Sequence, residues 1–354
     1  SRLVKLDILG HDDPTVIRML EDLTGIDAKQ IPFDDKTTMS LFSSTEALGL
    51  TPEELGSQVG TFGIPEFGTK FVRQMLEDTT PSTFSELVRI SGFSHGTDVW
   101  LNNAQDLIKA GTAKLSEAIS ARDDIMMYLI HKGLEPQLAF KIMEGVRKGK
   151  GVKPEDVEKM KANNVPEWYI ESCQKIKYMF PKAHAVAYVM MAFRIAYCKV
   201  HYPLAFYASY FTVRATEFDA DIVVQGEKVL RSQLADFEQK GNMMTAKEKG
   251  MQTIFEMALE MYLRGFSFRR VDLYASHATK FLIVDNGLLP PLASLQGLGD
   301  AAARNIVQAR EERPFSSVED IRVRARASKT VIDILQSHGC LNNLPETDQI
   351  MLFA

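Results

Sequence analysis

Apolar residues recur at helical spacing along most of this chain, with polar residues between them. The period predicts helices over Thr15–Leu23, Thr51–Gly56, Gly68–Leu76, Ala104–Ala110, Ala113–Ile119 and Asp123–Lys132. It predicts further helices over Pro136–Gly145, Lys153–Asn163, Pro166–Lys177 and Ala183–Val200, and a second helical region over Asp219–Leu263. Two short helices close the pattern, Asp300–Arg310 and Lys329–His338. Strict alternation is rare. It marks a short strand at Leu3–Leu9 and strand-like stretches between Arg264 and Val284. The fold class expected is therefore mainly α with small β elements. Helix starts carry their own signals: Thr51-Pro52-Glu53-Glu54 sets a cap, a proline and acids in order. The tail from Pro345 to Phe353 reads as extended and exposed, and neither an internal repeat nor a low-complexity tract is evident.

Composition narrows the picture. The chain has 354 residues, 45% of them hydrophobic, enough for two or three domains with sizeable cores. Its formal net charge of −5 excludes a generally basic nucleic-acid protein, so any polyanion footprint must be local. Three widely spaced cysteines, Cys173, Cys198 and Cys340, fit a reducing cytoplasm better than a disulfide framework or a zinc site. No signal peptide or transmembrane run is expected. The chain opens on SRLVKLDILG without a starting methionine and reads as a piece of something longer.

The strongest local feature is Lys175–Pro203, KIKYMFPKAHAVAYVMMAFRIAYCKVHYP. Between Ser172 and Thr216 there is no Asp or Glu. Pro181 suits a helix start, which places Lys182 and His184 in the first turn beside free backbone N–H groups and the positive end of the helix dipole. Tyr178 precedes the turn, where it could lie against a base or sugar. Such a head suits a triphosphate; a buried core helix with solvated lysines is the plainer alternative. Arg194 interrupts the apolar run and argues against a membrane span. Gly145–Gly151, GVRKGKG, reads as a flexible basic connector.

Other positions carry candidate chemistry. Asp7 lies between Leu6 and Ile8, where a carboxylate needs a partner: a metal ion, a lysine such as Lys5, or water at a sheet edge. The pairs Asp12-Asp13, Asp34-Asp35, Asp123-Asp124 and Asp219-Ala220-Asp221 read as caps and solvated charge. Arg122 opens a helix and could serve a phosphate or pair with Asp123 or Asp124. In RISGFSHGTDVW, Arg89–Trp100, the residues alone suggest a capped loop in which Gly92 and Gly96 allow tight turns and close approach, with His95 among its polar groups. In LQGLGDAAARNIVQARE, Gly297 and Gly299 precede an alanine-rich helix with Arg304 one turn in. This is the form of a helix-hairpin-helix, whose backbone N–H groups meet a DNA phosphate; a helix C-cap followed by a new helix is the plainer alternative. Arg322, Arg324, Arg326 and Lys329 add a basic patch nearby.

Several of these stretches occur in the order found in one family. KLDILGHDDPT, RISGFSHGTDVW, the Lys175–Pro203 segment and LPPLASLQGLGDAAARNIVQARE resemble C-family replicative DNA polymerases, the bacterial polymerase III alpha subunits, and most nearly the PolC type. FGIPEFGTKFVRQM, Phe62–Met75, resembles a fingers element near the template. The resemblance implies the end of a palm sheet at 1–10, fingers at 11–215, a duplex-binding tandem helix-hairpin-helix region at 216–345 and a clamp-binding tail at 346–354. It implies that Asp7 is the third metal-binding aspartate, for Mg²⁺, its two partners lying in palm sequence that this chain does not contain. Arg122, Tyr178, Lys182, His184 and Lys5 would bind the incoming dNTP. Gly297, Gly299, Arg304 and His95 would meet DNA. Gln349, Leu352 and Phe353 resemble the pentapeptide by which bacterial polymerases hold the sliding clamp. Implied partners are primer-template DNA, dNTP, the clamp and the rest of the polymerase, in the cytoplasm and with no membrane; an exonuclease in the parent chain is also suggested. A rival from another class is a non-catalytic helix-hairpin-helix scaffold that grips duplex DNA.

Overall fold

Helix starts in this chain are fixed by side chains that take up orphan backbone N–H groups. Thr51 with Glu54, Thr83 with Glu86 and Thr245 with Glu248 each form a reciprocal capping box. The protein was analysed as a computed structural model in which residues 11–347 are described. It is mainly α-helical, with one small sheet. The Leu3–Leu9 strand, Lys5, Asp7 and the Gln349–Phe353 tail lie outside the described residues.

Contacts divide the chain into two compact units. One is Asp27–Val200; the other joins Ser1–Ile26 to His201–Ala354. The early helix Asp13–Thr24 belongs to the second unit because it packs on Pro203–Arg214, and Arg214 pairs with the fully buried Asp13. Asp13 is therefore not the solvated charge its sequence context suggested.

In the Asp27–Val200 unit, Phe33, Phe42, Phe67, Phe84 and Phe193 form a ring cluster with centroids 4.8–6.1 Å apart. Burying such a side chain contributes about 1.5–3 kcal/mol. Helix Lys182–His201 runs through this core and carries a fully buried lysine. Lys199 Nζ donates to the carbonyls of Gly60 at 2.8 Å and Phe62 at 2.6 Å, which ties the helix to the 60–68 loop.

In the other unit, helices Glu227–Lys240 and Ala246–Leu263 form a packed pair. A small sheet follows: β1 (Ser267–Phe268), β2 (Leu282–Val284) and β3 (Gly287–Leu289). The central β3 runs parallel to β1 and antiparallel to β2. A Cβ at Gly287 would stand 2.1 Å from the Ser267 carbonyl oxygen, so only glycine fits that pairing. Three short helices follow, Asp300–Glu312, Val318–Arg324 and Lys329–His338.

Several expectations need correction. Ala113–Ile119 is a set of turns, with Glu117 bonding back to the Lys114 amide at 2.8 Å. Arg89–Trp100 is no loop at its start: helix Phe84–His95 runs through Gly92. A Cβ at Gly92 would meet the Ser120 carbonyl oxygen at 2.9 Å, so the glycine serves close packing and not a turn. Gly96 has an extended backbone, φ −87°, and is crowded by Val99. Helix Pro203–Arg214 carries no period to read, because nearly its whole circumference is buried.

Candidate functional site

Within the Asp27–Val200 unit, four of the predicted residues come together around the start of helix Lys182–His201. The segment leading into that helix is held on two sides by backbone. Thr97 N–H donates to the Tyr178 carbonyl at 3.0 Å, and Lys177 N–H to the Thr97 carbonyl at 3.0 Å. Arg122 N–H donates to the Phe180 carbonyl at 3.3 Å, completing a parallel bridge at Ala121. Arg122, Tyr178, Lys182 and His184 are thereby gathered by chain separated by some sixty positions. Tyr178 is 47% exposed. His184 sets the edge of its ring against Phe180, centroids 5.9 Å apart.

The carboxylate-free window is free of carboxylates only along the sequence. Pro181 stands at the cap, its carbonyl taking the Ala185 N–H, and the Lys182 N–H is capped by Asp123 Oδ2 at 2.9 Å. Lys182 Nζ reaches Asp124 Oδ1 at 3.0 Å. Arg122 lies 4.0 Å from Asp123. Asp124 is nearly buried, caps Ser120 and Ala121, and faces Arg89 at 3.4 Å. Burial raises its pKa, but Arg89, the Ala121 amide, the Ser120 hydroxyl and Lys182 outweigh that and hold it below the usual carboxylate range. Sequence reading missed this because the acids arrive from the neighbouring helix, Arg122–His131.

His95 joins the same neighbourhood, stacked on Phe180 with centroids 4.6 Å apart. Its two ring nitrogens face protein groups: Nδ1 meets the Ser91 carbonyl at 2.9 Å, and Nε2 lies 3.0 Å from the Glu66 carboxylate. The Glu66 carboxylate first of all, with the Ser91 carbonyl, raises the His95 pKa above the ordinary imidazole value against the effect of burial.

The GVRKGKG connector is anchored. Gln174 brackets Val152 through both its backbone groups, at 3.0 and 2.9 Å. Gly149 and Gly151 have φ of 70° and 64°, and a Cβ on either would collide with Lys177 or Gln174.

In the other unit, Gly297 has φ 89° and Gly299 an extended φ of −73°. Positive φ is thus required at Gly297 alone; a Cβ on Gly299 would meet open space. Leu298 between them is buried, and Arg304 is exposed one turn into Asp300–Glu312. A second hairpin repeats this backbone 29 residues on: Arg326 has φ 53°, Ala327 is buried, and Ser328 is an extended cap, φ −68° and ψ 164°, for helix Lys329–His338. The corresponding ψ at Gly299 is 163°. No sequence repeat shows, because glycine is replaced by Arg and Ser. Arg324, expected in a basic patch, is instead largely buried and bound to Asp320 at 3.1 Å.

Two sequence models match the chain: the bacterial DNA polymerase III alpha subunit finger domain over residues 13–167, and a helix-hairpin-helix motif over residues 265–350. "DNA polymerase III PolC-type" of Caldanaerobacter subterraneus subsp. tengcongensis is 66% identical over 353 residues, all of this chain and 25% of the relative. The protein of the same name from Bacillus subtilis is 62% identical over the same spans, and that from Thermotoga maritima is 58% identical over 99% of this chain and 26% of its own length. The chain belongs to the PolC-type DNA polymerase III family. It spans about a quarter of the length of these relatives. His95 and Arg122 fall within the finger match, and Gly297, Gly299 and Arg304 within the helix-hairpin-helix match; Tyr178, Lys182 and His184 lie beyond the finger match.

Among the described residues no group of three or more His, Cys, Asp or Glu is placed to hold a metal ion. Nor is any described helix long and apolar enough to cross a membrane. Burial pushes the thiols of Cys173, Cys198 and Cys340 up to about 12, which removes them as thiolate nucleophiles at neutral pH.

Proposed function

We propose that the chain forms part of a template-directed DNA polymerase that adds deoxynucleotides to a primer 3′-OH and releases pyrophosphate. The observation that carries this reading is the convergence of Arg122, Tyr178, Lys182 and His184 at one helix start, in a chain of the PolC-type family. The two cations suit the charge of a triphosphate, and charge-assisted contacts to phosphate are among the stronger hydrogen bonds. Tyr178, exposed in the segment that leads into this helix, offers a face for the base or sugar. Arg122 N–H and side chain are positioned by the Phe180 bridge. Binding a triphosphate exchanges Asp124 for phosphate as the partner of Lys182.

The functional regions follow the expectations above: residues 1–10 as the end of a palm sheet, 11–215 as fingers, 216–345 as a duplex-binding region and 346–354 as a clamp-binding tail. Asp7 would hold Mg²⁺ together with carboxylates of the remaining palm, and Lys5 would approach the nucleotide. The metal supplies charge neutralisation at the transferring phosphoryl group. Gly297, Gly299 and Arg304, with the second hairpin at Arg326–Ser328, would hold duplex phosphates without reading sequence. The location would be the cytoplasm, at the replication machinery.

The test is primer extension by the intact polymerase with Asp7→Asn. Incorporation should be abolished while primer-template binding stays near wild type. Near-normal incorporation would end the palm assignment.

A further inference from the structure

His95 is held among protein groups on both sides of its ring. Its Nδ1 faces a carbonyl, Ser91 O at 2.9 Å, and its Nε2 faces a carboxylate, Glu66 Oε2 at 3.0 Å. Both partners only accept protons, so an imidazolium, which donates at both nitrogens, suits both; a neutral ring that donates to Glu66 would leave Nδ1 to accept from the Ser94 hydroxyl at 3.0 Å. Glu66 Oε2 is buried and has no other polar partner among the described residues. A buried carboxylate needs a counter-charge, and His95 is the cation beside it. Glu66 itself adopts a left-handed backbone, φ 68°, a conformation that non-glycine residues hold only where surrounding structure imposes it.

The cation stacks on Phe180, with ring planes 23° apart and centroids at 4.6 Å, a geometry in which positive charge strengthens the contact. Phe180 is also the residue whose carbonyl takes the Arg122 N–H, and whose ring carries the edges or faces of His184 and Tyr188. We propose that Glu66 and His95 form a positioning pair: the Glu66-held imidazolium pins Phe180 and so fixes the segment Lys177–Lys182 that presents Tyr178, Lys182 and His184. This rests on the reading of that segment as the nucleotide grip, and it makes His95 a positioning residue without a DNA contact.

The pair is a pH-sensitive element. The groups facing the His95 ring are Glu66, the Ser91 carbonyl, the Ser94 hydroxyl at 3.0 Å and Phe180; of these only Glu66 is charged. His184, edge-on to the Phe180 ring, is the next titratable group on that ring; Arg122 is joined to Phe180 through its backbone N–H and Lys182 follows two residues on. The folded-state pKa of His95 is raised, chiefly by Glu66. The imidazolium contact is therefore complete at low pH and is lost as pH rises through that raised value, above the ordinary imidazole value of about 6.5.

The test uses the intact polymerase and three forms: wild type, Glu66→Gln and His95→Gln. Hydrogen exchange read by mass spectrometry gives protection of the Lys177–Lys182 amides across pH, normalised to intrinsic rates. Wild-type protection should fall only above the ordinary imidazole range. Glu66→Gln should move that fall to lower pH, and His95→Gln should make protection low and independent of pH. At pH 7 both variants should lose at least fivefold protection there, while helix Phe84–His95 keeps its own. In steady-state primer extension the same variants should raise the dNTP KM severalfold and change kcat less than twofold. Unchanged protection at 177–182, or loss spread evenly over the unit, overturns the proposal. Absence of incorporation by the wild type would overturn the polymerase reading alone, and exchange would still decide the role of His95.

Discussion

The Asp123 carboxylate accepts the backbone N–H of Lys182 at 2.9 Å, which places a negative charge at the helix start beside Arg122 and Lys182. Helix dipole and cap satisfy each other there without any ligand. If the proposed triphosphate binds at this end, it meets that charge as a repulsion. Asp123→Asn keeps an accepting oxygen for the amide but removes the charge. The dNTP KM should fall two- to fivefold, with stability altered by about 0.5 kcal/mol or less. Primer extension at low and moderate salt measures it, and the gain should shrink as salt rises. An unchanged or raised KM would show that Asp123 does not face the triphosphate.

Lys182→Ala and His184→Ala should each raise the dNTP KM or lower kcat while primer-template affinity stays within twofold. Lys182 is about half exposed and tied to Asp124, so its loss also leaves Asp124 with Arg89 as its remaining cation. A modest stability loss of about 0–1 kcal/mol is therefore expected from Lys182→Ala. If a variant instead lost DNA affinity and kept normal nucleotide kinetics, the triphosphate would have to bind elsewhere.

Lys199→Met tests the core behind the site. The lysine is fully buried and donates to the Gly60 and Phe62 carbonyls. Methionine matches its length but removes the donors, leaving two buried acceptors short of partners. The expected loss is about 2–4 kcal/mol of stability, read as a lower Tm. Equal stability would mean that water replaces the ammonium.

What the sequence could and could not show follows from where each signal resides. Thr51 and Glu54 announced their helix because a capping box is local, and Lys329–His338 was read to the residue because its buried stripe is strictly periodic. Pro203–Arg214 escaped because burial on nearly all sides erases the period. The basic helix start at Lys182 was legible from its own residues, but the acids that face it were not, since Asp123 and Asp124 arrive from a helix some sixty residues earlier. Glu66 and His95 were unreadable as a pair for the same reason. The second hairpin was hidden because its backbone conformation is shared with the first while its residues are not: Arg326 stands where Gly297 does.

The tail carries a separate prediction. Leu352→Ala with Phe353→Ala should abolish binding of the C-terminal peptide to a purified sliding clamp and remove clamp-stimulated synthesis, while short-primer extension persists. Two apolar anchors and Gln349 form a short motif of the kind in which a few residues carry most of the binding energy. Unchanged clamp affinity would show that the tail does not bind the clamp.

The two hairpins make a last, paired prediction. At Gly297 the φ of 89° excludes most side chains, and Ile334 Cδ1 would lie 3.1 Å from an added Cβ. Gly297→Ala should therefore cost about 1–2 kcal/mol of stability besides weakening duplex binding. Gly299→Val meets no such obstacle, since φ is −73° and the space is open. Its effect should fall on duplex binding, equally for all sequences, because a branched side chain stands between the backbone and a phosphate. At the second hairpin the logic reverses. Arg326 holds a left-handed φ of 53° that glycine adopts freely, so Arg326→Gly should leave Tm unchanged or slightly raised. If its guanidinium meets a phosphate, the slope of log K against log salt should fall in magnitude by about 0.9. Titrating labelled duplex at four salt concentrations separates the outcomes. A slope equal to wild type in a stably folded Arg326→Gly protein would confine DNA contact to the first hairpin, and a sequence-selective loss in Gly299→Val would argue against phosphate contact there as well.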